Sequence, residues 1–259
     1  MDKLSGIFDT HAHYDDERFD NDRDKVLSSM NDRGISYICN VSSDLKGCKN
    51  SLELADKYDF IYCATGVHPI CIENLASDWV KKLSEYAKCN KVVAIGEIGL
   101  DYHYEGYSKS KQIDGFERQM DLAQSLDLPV IIHSREATND TLDIIRNFPK
   151  VSGVVHCFSG SVQTAFTLLD LGWYIGFTGV VTFKNAKKTV EVAKEVPNER
   201  FVIETDCPYM APEPWRGSRC DSTMLVSVAN KIAEIKDMSA SEVVNITRKN
   251  AFDLYRLNL

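Results

Sequence analysis

Eight apolar, β-rich runs alternate along the chain with segments whose apolar residues recur at helical spacing. The runs occupy residues 7–10, 35–41, 60–67, 92–96, 130–132, 153–155, 173–177 and 201–204. Such alternation is typical of βα units, in which each helix returns the chain to begin the next parallel strand. Because eight of these units close a barrel, the pattern predicts an α/β fold of the TIM (β/α)8 type.

The intervening segments and the chain length agree with this fold. Phe116 and Met120 belong to an apolar stripe at helical spacing. Ser239 followed by Glu242 forms the pattern of a capping box, which predicts a helix at the carboxyl end of the chain. A length of 259 residues is ordinary for one barrel, and no linker, repeat or charge run marks a boundary. We therefore expect a single domain over residues 1–259.

An open, doubly wound sheet is the alternative architecture. Such a sheet gathers its ligands at one crevice, usually beside a glycine-rich phosphate-binding turn. The chain contains neither a GxGxxG nor a Walker A pattern. In a closed barrel, residues at the carboxyl ends of many strands converge on one mouth. The positions of the polar residues therefore distinguish the two folds.

Composition restricts the class of protein. No apolar run approaches the roughly 20 residues that a membrane span needs, and eight scattered cysteines without a CxxC pair fit a reducing compartment. We expect a cytoplasmic protein with no membrane partner and no obligate protein partner. The net charge of −8 argues against a broad basic surface that wraps nucleic acid, but not against a local binding site.

Polar residues stand where the apolar runs end. His11 and His13 end the first run, and side chains two positions apart in a strand share a side and can share a metal ion. Five of the six histidines and two carboxylates lie at such positions. They are His11, His13, His68, Glu97, His133, His156 and Asp206. Each residue alone also fits a turn, a helix cap or a core histidine, but their joint placement favours a metal site at a barrel mouth.

Four imidazoles and two carboxylates suit two divalent ions better than one tetrahedral ion. The predicted ligands are His11, His13, Glu97, His133, His156 and Asp206. Glu97 lies between the two histidine sets in the sequence and is the predicted bridging ligand. Asp206 is expected to bind the first ion and to contact the attacking water. A mixed histidine and carboxylate site accepts Mg²⁺, Mn²⁺ or Zn²⁺.

The same residues lie in motifs that resemble those of the TatD-type metal-dependent deoxyribonucleases, a family of amidohydrolase-like barrels. The motifs are FDTHAH at 8–13, GVHP at 66–69, GEIGLDY at 96–102, HSREA at 133–137, HCFSG at 156–160 and ETDCPYMAP at 204–212. The resemblance spans nearly the whole chain. It implies a TIM barrel with two divalent metals held by the six residues above, 3′ to 5′ exonuclease action on DNA, and a cytoplasmic location.

The chain departs from the family pattern at two places. Cys220, Asp221 and Ser222 stand where Asn-Glu-Pro is common, which affects contacts of that loop. Glu136 stands where Asp is more usual, a change that we expect to be mild.

Further residues near the predicted mouth are expected to take part in catalysis or substrate binding. The catalytic candidates are Glu97, Asp206, Glu204 and His68, and the substrate-binding candidates are His68, Arg135, Arg216, Arg219 and Tyr102. Glu204 is expected to hold a ligand histidine in its tautomer, and the arginines offer forked donors to phosphate. Tyr102 begins a tyrosine-rich loop that fits stacking on unpaired bases or a lid packed on its own rings. These features favour single strands or frayed ends over duplex DNA.

Three functions fit this site. Two ions about 3.5 to 4 Å apart activate a hydroxide for phosphodiester hydrolysis. A metallohydrolase of the same fold acting on esters or amides, such as an aminoacyl-tRNA deacylase, would use the same hydroxide. Many such barrels carry a carbamylated lysine where this chain has Glu97, which favours the deoxyribonuclease. A non-catalytic metal-binding interaction protein would lack a ligand, whereas the set here is complete.

Overall fold

Parallel strands in chain order form the centre of the computed structural model, which describes residues 4–258. Within those residues the eight strands are β1 (Ile7–Ala12), β2 (Ile35–Val41), β3 (Ile61–Thr65), β4 (Val92–Asp101), β5 (Val130–Arg135), β6 (Gly153–Val155), β7 (Tyr174–Phe177) and β8 (Phe201–Ile203). Each strand pairs in parallel with the next. Helices alternate with the strands, as the apolar spacing predicts.

Closure of the sheet takes place at the carboxyl ends of β1 and β8. Asp206 N donates to His11 O at 2.9 Å, and His13 N donates to Cys207 O at 2.8 Å. These bonds join the residues that follow β8 to β1, and the sheet thereby forms a nearly closed barrel. The predicted TIM (β/α)8 fold is confirmed.

The helices are α1 (Arg23–Ser28), α2 (Leu45–Lys57), α3 (Trp79–Tyr86), α4 (Lys109–Leu126), α5 (Thr138–Asn147), α6 (Val162–Asp170), α7 (Lys187–Glu195), α8 (Leu225–Lys236) and α9 (Ala240–Tyr255). The predicted capping box opens α9, because Ser239 Oγ accepts from Glu242 N and Glu242 Oε2 accepts from Ser239 N. Phe116 and Met120 of α4 are buried, as their spacing predicts. No helix of residues 4–258 is long and apolar enough to span a bilayer.

Helix α9 covers the end of the barrel at which the strands begin. Phe252 packs edge-on against Phe8 of β1, with ring centroids 5.9 Å apart. Asn250 Nδ2 donates to the carbonyl of Phe201, the first residue of β8, at 2.8 Å. Apolar side chains from strands around the sheet join this packing. The opposite, carboxyl end of the barrel therefore stays available for a site.

Several strands extend beyond their predicted ends. Strand β4 continues from the predicted residue 96 to Asp101, and β5 continues from 132 to Arg135. Glu97 and His133 thus lie inside strands rather than after them, and His11 lies inside β1. The prediction ended these three strands just before a predicted metal ligand. A buried strand accepts polar side chains, however, when they find partners, and every residue of β4 is buried.

Candidate metal centre

The structure brings the six predicted ligands together at the barrel mouth. They are His11, His13, Glu97, His133, His156 and Asp206. The most exposed of these side chains is that of His133, at 18%. Imidazoles and carboxylates are rarely buried at such density without a compensating charge.

The carboxylate of Glu97 lies between two groups of histidines. Its Oε1 is 2.9 Å from His133 Nδ1 and 2.9 Å from His156 Nε2. Its Oε2 is 3.6 Å from His11 Nε2 and 3.8 Å from His13 Nε2. Each oxygen therefore faces its own histidine pair, which is the arrangement that a carboxylate bridging two cations requires.

The first group consists of His11, His13 and Asp206. The Nε2 atoms of the two histidines are 3.0 Å apart, and Asp206 Oδ1 is 3.3 Å from His13 Nε2 and 3.7 Å from His11 Nε2. The Nδ1 of His13 donates to Val41 O at 2.7 Å, so its Nε2 is the nitrogen that faces the cluster. Three donor atoms thus converge on one point.

The backbone at Asp206 has a conformation that L residues rarely adopt, with φ at 59°. This conformation costs about 1 kcal/mol for a residue with a side chain. It is held by the bond from Asp206 N to His11 O and by the bond from Tyr209 N to Asp206 O at 2.9 Å. Strain at a site residue that the surrounding structure fixes is typical of functional sites.

Electrostatics keep the carboxylates of the cluster ionised. Burial alone raises the pKa of Glu97, but the neighbouring imidazoles, His156 first, lower it well below its usual range. Burial lowers the pKa of His13, but the hydrogen bond to Asp206 and the negative charges of Asp206, Glu97 and Asp15 together outweigh it and raise the pKa to about 9. The largely buried site therefore combines anionic oxygens with imidazole nitrogens, the donor set that divalent transition metals prefer.

Two buried imidazole nitrogens lack hydrogen-bond partners among residues 4–258. They are His11 Nδ1 and His156 Nδ1, although a carboxylate oxygen of Glu204 lies 3.4 Å from His156 Nδ1 without forming a hydrogen bond. An unsatisfied buried polar atom costs free energy, and such atoms cluster at sites that bind an ion or another group. Both atoms are the ring nitrogens opposite those that face Glu97, and it is the convergent donor atoms that show the histidine and glutamate cluster to be able to hold metal.

Asp101 is a site residue that the sequence reasoning missed. Its Oδ2 lies 3.0 Å from His133 Nε2, while the other nitrogen of that ring faces Glu97. Gln112 fixes the Asp101 backbone through bonds in both directions. A carboxylate on the far nitrogen of a ligand histidine sets its tautomer and orientation. The sequence could have indicated Asp101, because it lies four residues after Glu97 and this spacing places both side chains on one side of an extended strand.

His68 lies beside the second group, with its Nε2 3.8 Å from Glu97 Oε1. Its Nδ1 accepts a hydrogen bond from Ile70 N at 3.3 Å, so the ring proton belongs on Nε2. Burial lowers the pKa of His68 to about 3, so the ring is neutral. The structure thus gives His68 a hydrogen-bond donor directed toward the cluster.

Glu204 is fully buried behind His156. Its Oε1 accepts from Cys157 N at 2.6 Å and lies 3.4 Å from His156 Nδ1. Gly176 of β7 makes room for it, because a Cβ at that position would lie 2.6 Å from Glu204 Oε1. The predicted role of Glu204 in orienting a histidine agrees with this position.

Replacement of Gly176 by Ala is expected to displace the Glu204 carboxylate and to weaken metal binding 10- to 100-fold, as loss of a ligand's supporting partner does. The overpacking should also lower the free energy of unfolding by about 1 to 3 kcal/mol. Metal titration of the purified variant measures the first effect and urea denaturation the second. Gly172→Ala is the matched control, because a Cβ there meets nothing within 4 Å although its φ of 86° strains the backbone. Equal metal affinity in the two variants would contradict the role of Glu204.

The predicted substrate-binding residues differ in their surroundings. Arg219 forms two bonds of 2.7 and 2.6 Å with Asp22, so its donors are already engaged. The hydroxyl of Tyr102 donates to Asp140 at 2.7 Å, and Lys109 covers its ring. Neither residue presents free polar groups to a substrate in this structure.

Arg135 and Arg216 are placed differently. The guanidinium of Arg135 lies over the ring of Tyr104 and donates to its hydroxyl at 3.2 Å, and that of Arg216 lies over Phe183. Neither has a carboxylate partner in the part of the chain described. These two arginines keep charge available for a phosphate.

The two departures from the family pattern both make local contacts. Glu136 Oε1 is 2.7 Å from His103 Nδ1 on the surface, which fits the mild change expected. Ser222 Oγ donates to Asp9 at 2.6 Å and bonds with the Tyr14 hydroxyl at 2.8 Å. The loop thus ties itself to β1 through a buried carboxylate, Asp9, that the sequence reasoning did not select.

A parallel barrel with a histidine and carboxylate cluster at the carboxyl ends of its strands defines a class, the metal-dependent barrel hydrolases. The family model described as TatD related DNase matches residues 8–256. The chain therefore belongs to the TatD family of metal-dependent hydrolases.

Relatives and solved structures agree with this assignment. The chain is 42% identical over 257 residues to the metal-dependent hydrolase YabD of Bacillus subtilis, with 97% of this chain and 100% of YabD covered. It is 37% identical over 258 residues to the metal-dependent hydrolase YcfH of Escherichia coli, covering 97% and 96% of the two chains. The crystal structure of YJJV, a TatD homologue from Escherichia coli, superposes with a TM-score of 0.92 at 29% identity, covering 98% and 99%.

Proposed function

We propose that the chain is a metal-dependent deoxyribonuclease that hydrolyses DNA phosphodiester bonds from the 3′ end and prefers single strands or frayed ends. Two divalent ions, Mg²⁺, Mn²⁺ or Zn²⁺, are its cofactors in this proposal. The main support is the division of the Glu97 carboxylate between two histidine pairs, one oxygen to each. Membership of a family whose model is described as TatD related DNase supports DNA as the substrate.

The proposed ligands fall into two groups. His11, His13 and Asp206 would hold one ion and His133 and His156 the other, with Glu97 as a ligand common to both groups. The bound ions would supply a nucleophile at neutral pH and neutralise charge on the phosphoryl oxygens. Asp101 and Glu204 orient the histidines of the second group from behind.

The remaining roles belong to groups at the edge of the cluster. Asp206, whose side chain is 13% exposed, orients the attacking water and accepts its proton. His68 donates from Nε2 to a phosphoryl or leaving oxygen. Arg135 and Arg216 bind phosphates of the strand, whereas Arg219 holds its loop through Asp22.

Metal removal tests the proposal directly. Single-stranded DNA labelled at either end is incubated with the protein and Mg²⁺, Mn²⁺ or Zn²⁺, with and without chelator. The expected product is a ladder that shortens from the 3′ end, disappears with chelator and returns when metal is restored. Asp206→Asn should abolish the ladder, because the amide cannot accept the proton of the water.

Two results would contradict the proposal. Absence of cleavage by folded, metal-loaded protein would exclude the deoxyribonuclease and point to ester or amide hydrolysis at the same centre, which an aminoacyl ester substrate tests. Cleavage that persists with chelator and in Asp206→Asn would exclude this centre as the active site.

A further inference from the structure

Three large apolar side chains are exposed in the loop that carries Asp206. This mouth loop, residues 204–221, follows β8. Trp215 is 49% exposed, Tyr209 41% and Met210 40%. Single apolar residues on a surface need no explanation, but several in one short loop beside a candidate active site mark an interaction surface.

The backbone of the mouth loop is fixed although these side chains are exposed. Trp215 N donates to Pro212 O at 2.8 Å, and Ser218 donates to Trp215 O from its backbone N at 2.9 Å and from its hydroxyl at 2.7 Å. Glu213 N donates to Thr182 Oγ1 at 2.8 Å, which ties the loop to the segment after β7. A loop whose backbone is fixed before binding loses little backbone entropy when a ligand docks on it.

Positive charge accompanies the apolar side chains. The guanidinium of Arg216 lies 4.2 Å from the ring centroid of Phe183, and that of Arg18 lies 4.6 Å from that of Tyr209. Within residues 4–258 neither forms an ion pair with a carboxylate. Aromatic rings beside unpaired arginines suit a ligand that carries both planar rings and phosphates.

An acidic cleft reaches the mouth loop at Tyr209, and neither Trp215 nor Arg216 lines it. The cleft has a volume of about 750 Å³, reaches His13 and Tyr209, and is lined by seven carboxylates and three lysine or arginine side chains. Its negative charge repels phosphates. We therefore expect a nucleic acid strand at the metal centre to run along the part of the mouth loop that does not line this cleft, which includes Trp215 and Arg216.

From these observations we infer that the mouth loop is the platform on which unpaired nucleobases of the substrate strand stack, with Trp215 as the main stacking residue and Arg216 on the adjoining phosphate. This inference rests on the proposed deoxyribonuclease function. It extends that function by identifying the surface along which the substrate strand binds. The platform also accounts for a preference for single strands, because bases paired in a duplex do not offer their faces to Trp215.

A kinetic comparison of Trp215→Ala with Trp215→Phe tests the platform. Trp215→Ala is expected to raise the KM for single-stranded DNA about ten-fold with little change in kcat, since stacking contributes to binding rather than to the chemical step. Trp215→Phe should recover most of the loss. Phe166→Ala, which removes a 40% exposed ring from α6, is the matched control and should leave KM unchanged.

Substrates with one abasic nucleotide locate the stacked base. At the position that contacts Trp215, the missing base should raise the KM of the wild-type protein about ten-fold and that of Trp215→Ala hardly at all. At other positions the increase in KM caused by the missing base and the increase caused by Trp215→Ala should be independent and therefore multiply. Multiplication at every position would overturn the inference, because it would show that Trp215 contacts no base.

Tryptophan fluorescence gives a readout that does not depend on hydrolysis. Trp79 and Trp173 are buried, at 6% and 1% exposure, so Trp215 is the tryptophan that a ligand reaches. Titration with a single-stranded oligonucleotide in chelator should quench the emission of the wild-type protein but not that of Trp215→Phe.

The combined outcomes separate this inference from the proposed function. The platform would be overturned if Trp215→Ala and Phe166→Ala hydrolysed DNA with the same KM and the oligonucleotide did not quench the tryptophan fluorescence of the wild-type protein. The proposed deoxyribonuclease function would be unaffected by that result. Quenching without any hydrolysis would support the platform and remove the deoxyribonuclease. Unchanged DNA kinetics together with a protein complex that Trp215→Ala disrupts would assign the loop to a protein partner and overturn the inference.

Discussion

Glu97→Gln is expected to lower hydrolysis by on the order of a thousand-fold or more and to reduce the metal bound per chain. The amide keeps the size of the side chain, but it loses the negative charge and one of the two oxygens that face the histidine pairs. Rates on single-stranded DNA and metal content by plasma mass spectrometry measure the two effects. Both should fall together, since the same carboxylate faces both groups.

The control for Glu97→Gln is Glu136→Gln, which neutralises an exposed carboxylate at the same end of the barrel. Its activity should stay within about two-fold of the wild-type value, because an exposed pair with His103 contributes little. If Glu97→Gln kept a full metal complement and wild-type activity, Glu97 would be neither a ligand nor a catalytic residue.

Asp9→Ala is expected to lower the free energy of unfolding by about 3 kcal/mol or more. The buried Asp9 carboxylate accepts from Thr205 N at 3.0 Å, from Thr205 Oγ1 at 2.6 Å and from Ser222 Oγ at 2.6 Å. Alanine would leave Thr205 N buried without an acceptor, and the Thr205 and Ser222 hydroxyls would keep only His11 O at 3.4 Å and the Tyr14 hydroxyl at 2.8 Å. Urea denaturation measures the loss, on metal-free protein so that weakened metal binding does not add to it.

Ser222→Ala is the matched comparison for Asp9→Ala, because it removes one donor and leaves the carboxylate with its bonds to Thr205. Its expected cost is about 1 kcal/mol. An equal loss in the two variants would mean that the Ser222 contact carries the whole effect. A loss below about 1 kcal/mol in Asp9→Ala would show that the network contributes little to stability.

The sequence predicted the barrel because its two periodicities are local. Each strand and helix buries one set of apolar side chains, and the pattern repeats eight times. The ends of β1, β4 and β5 were predicted too early, because the polar residues there are buried through partners that lie far away in the sequence. Glu97 inside β4, for example, is 36 residues from His133, which accounts for its burial among polar groups.

The amino-acid sequence by itself determined the fold class and the six candidate ligands, since the positions of the strands can be read from periodicity and parallel strands bring their carboxyl ends to one mouth. Only the tertiary structure decided how those ligands divide around Glu97, that Asp101 supports His133, and that Asp22 engages Arg219 while Trp215 stays exposed. Those features depend on distances between side chains from different units of the barrel. Local periodicity carries no information about such distances, because packing sets them after the sheet has closed.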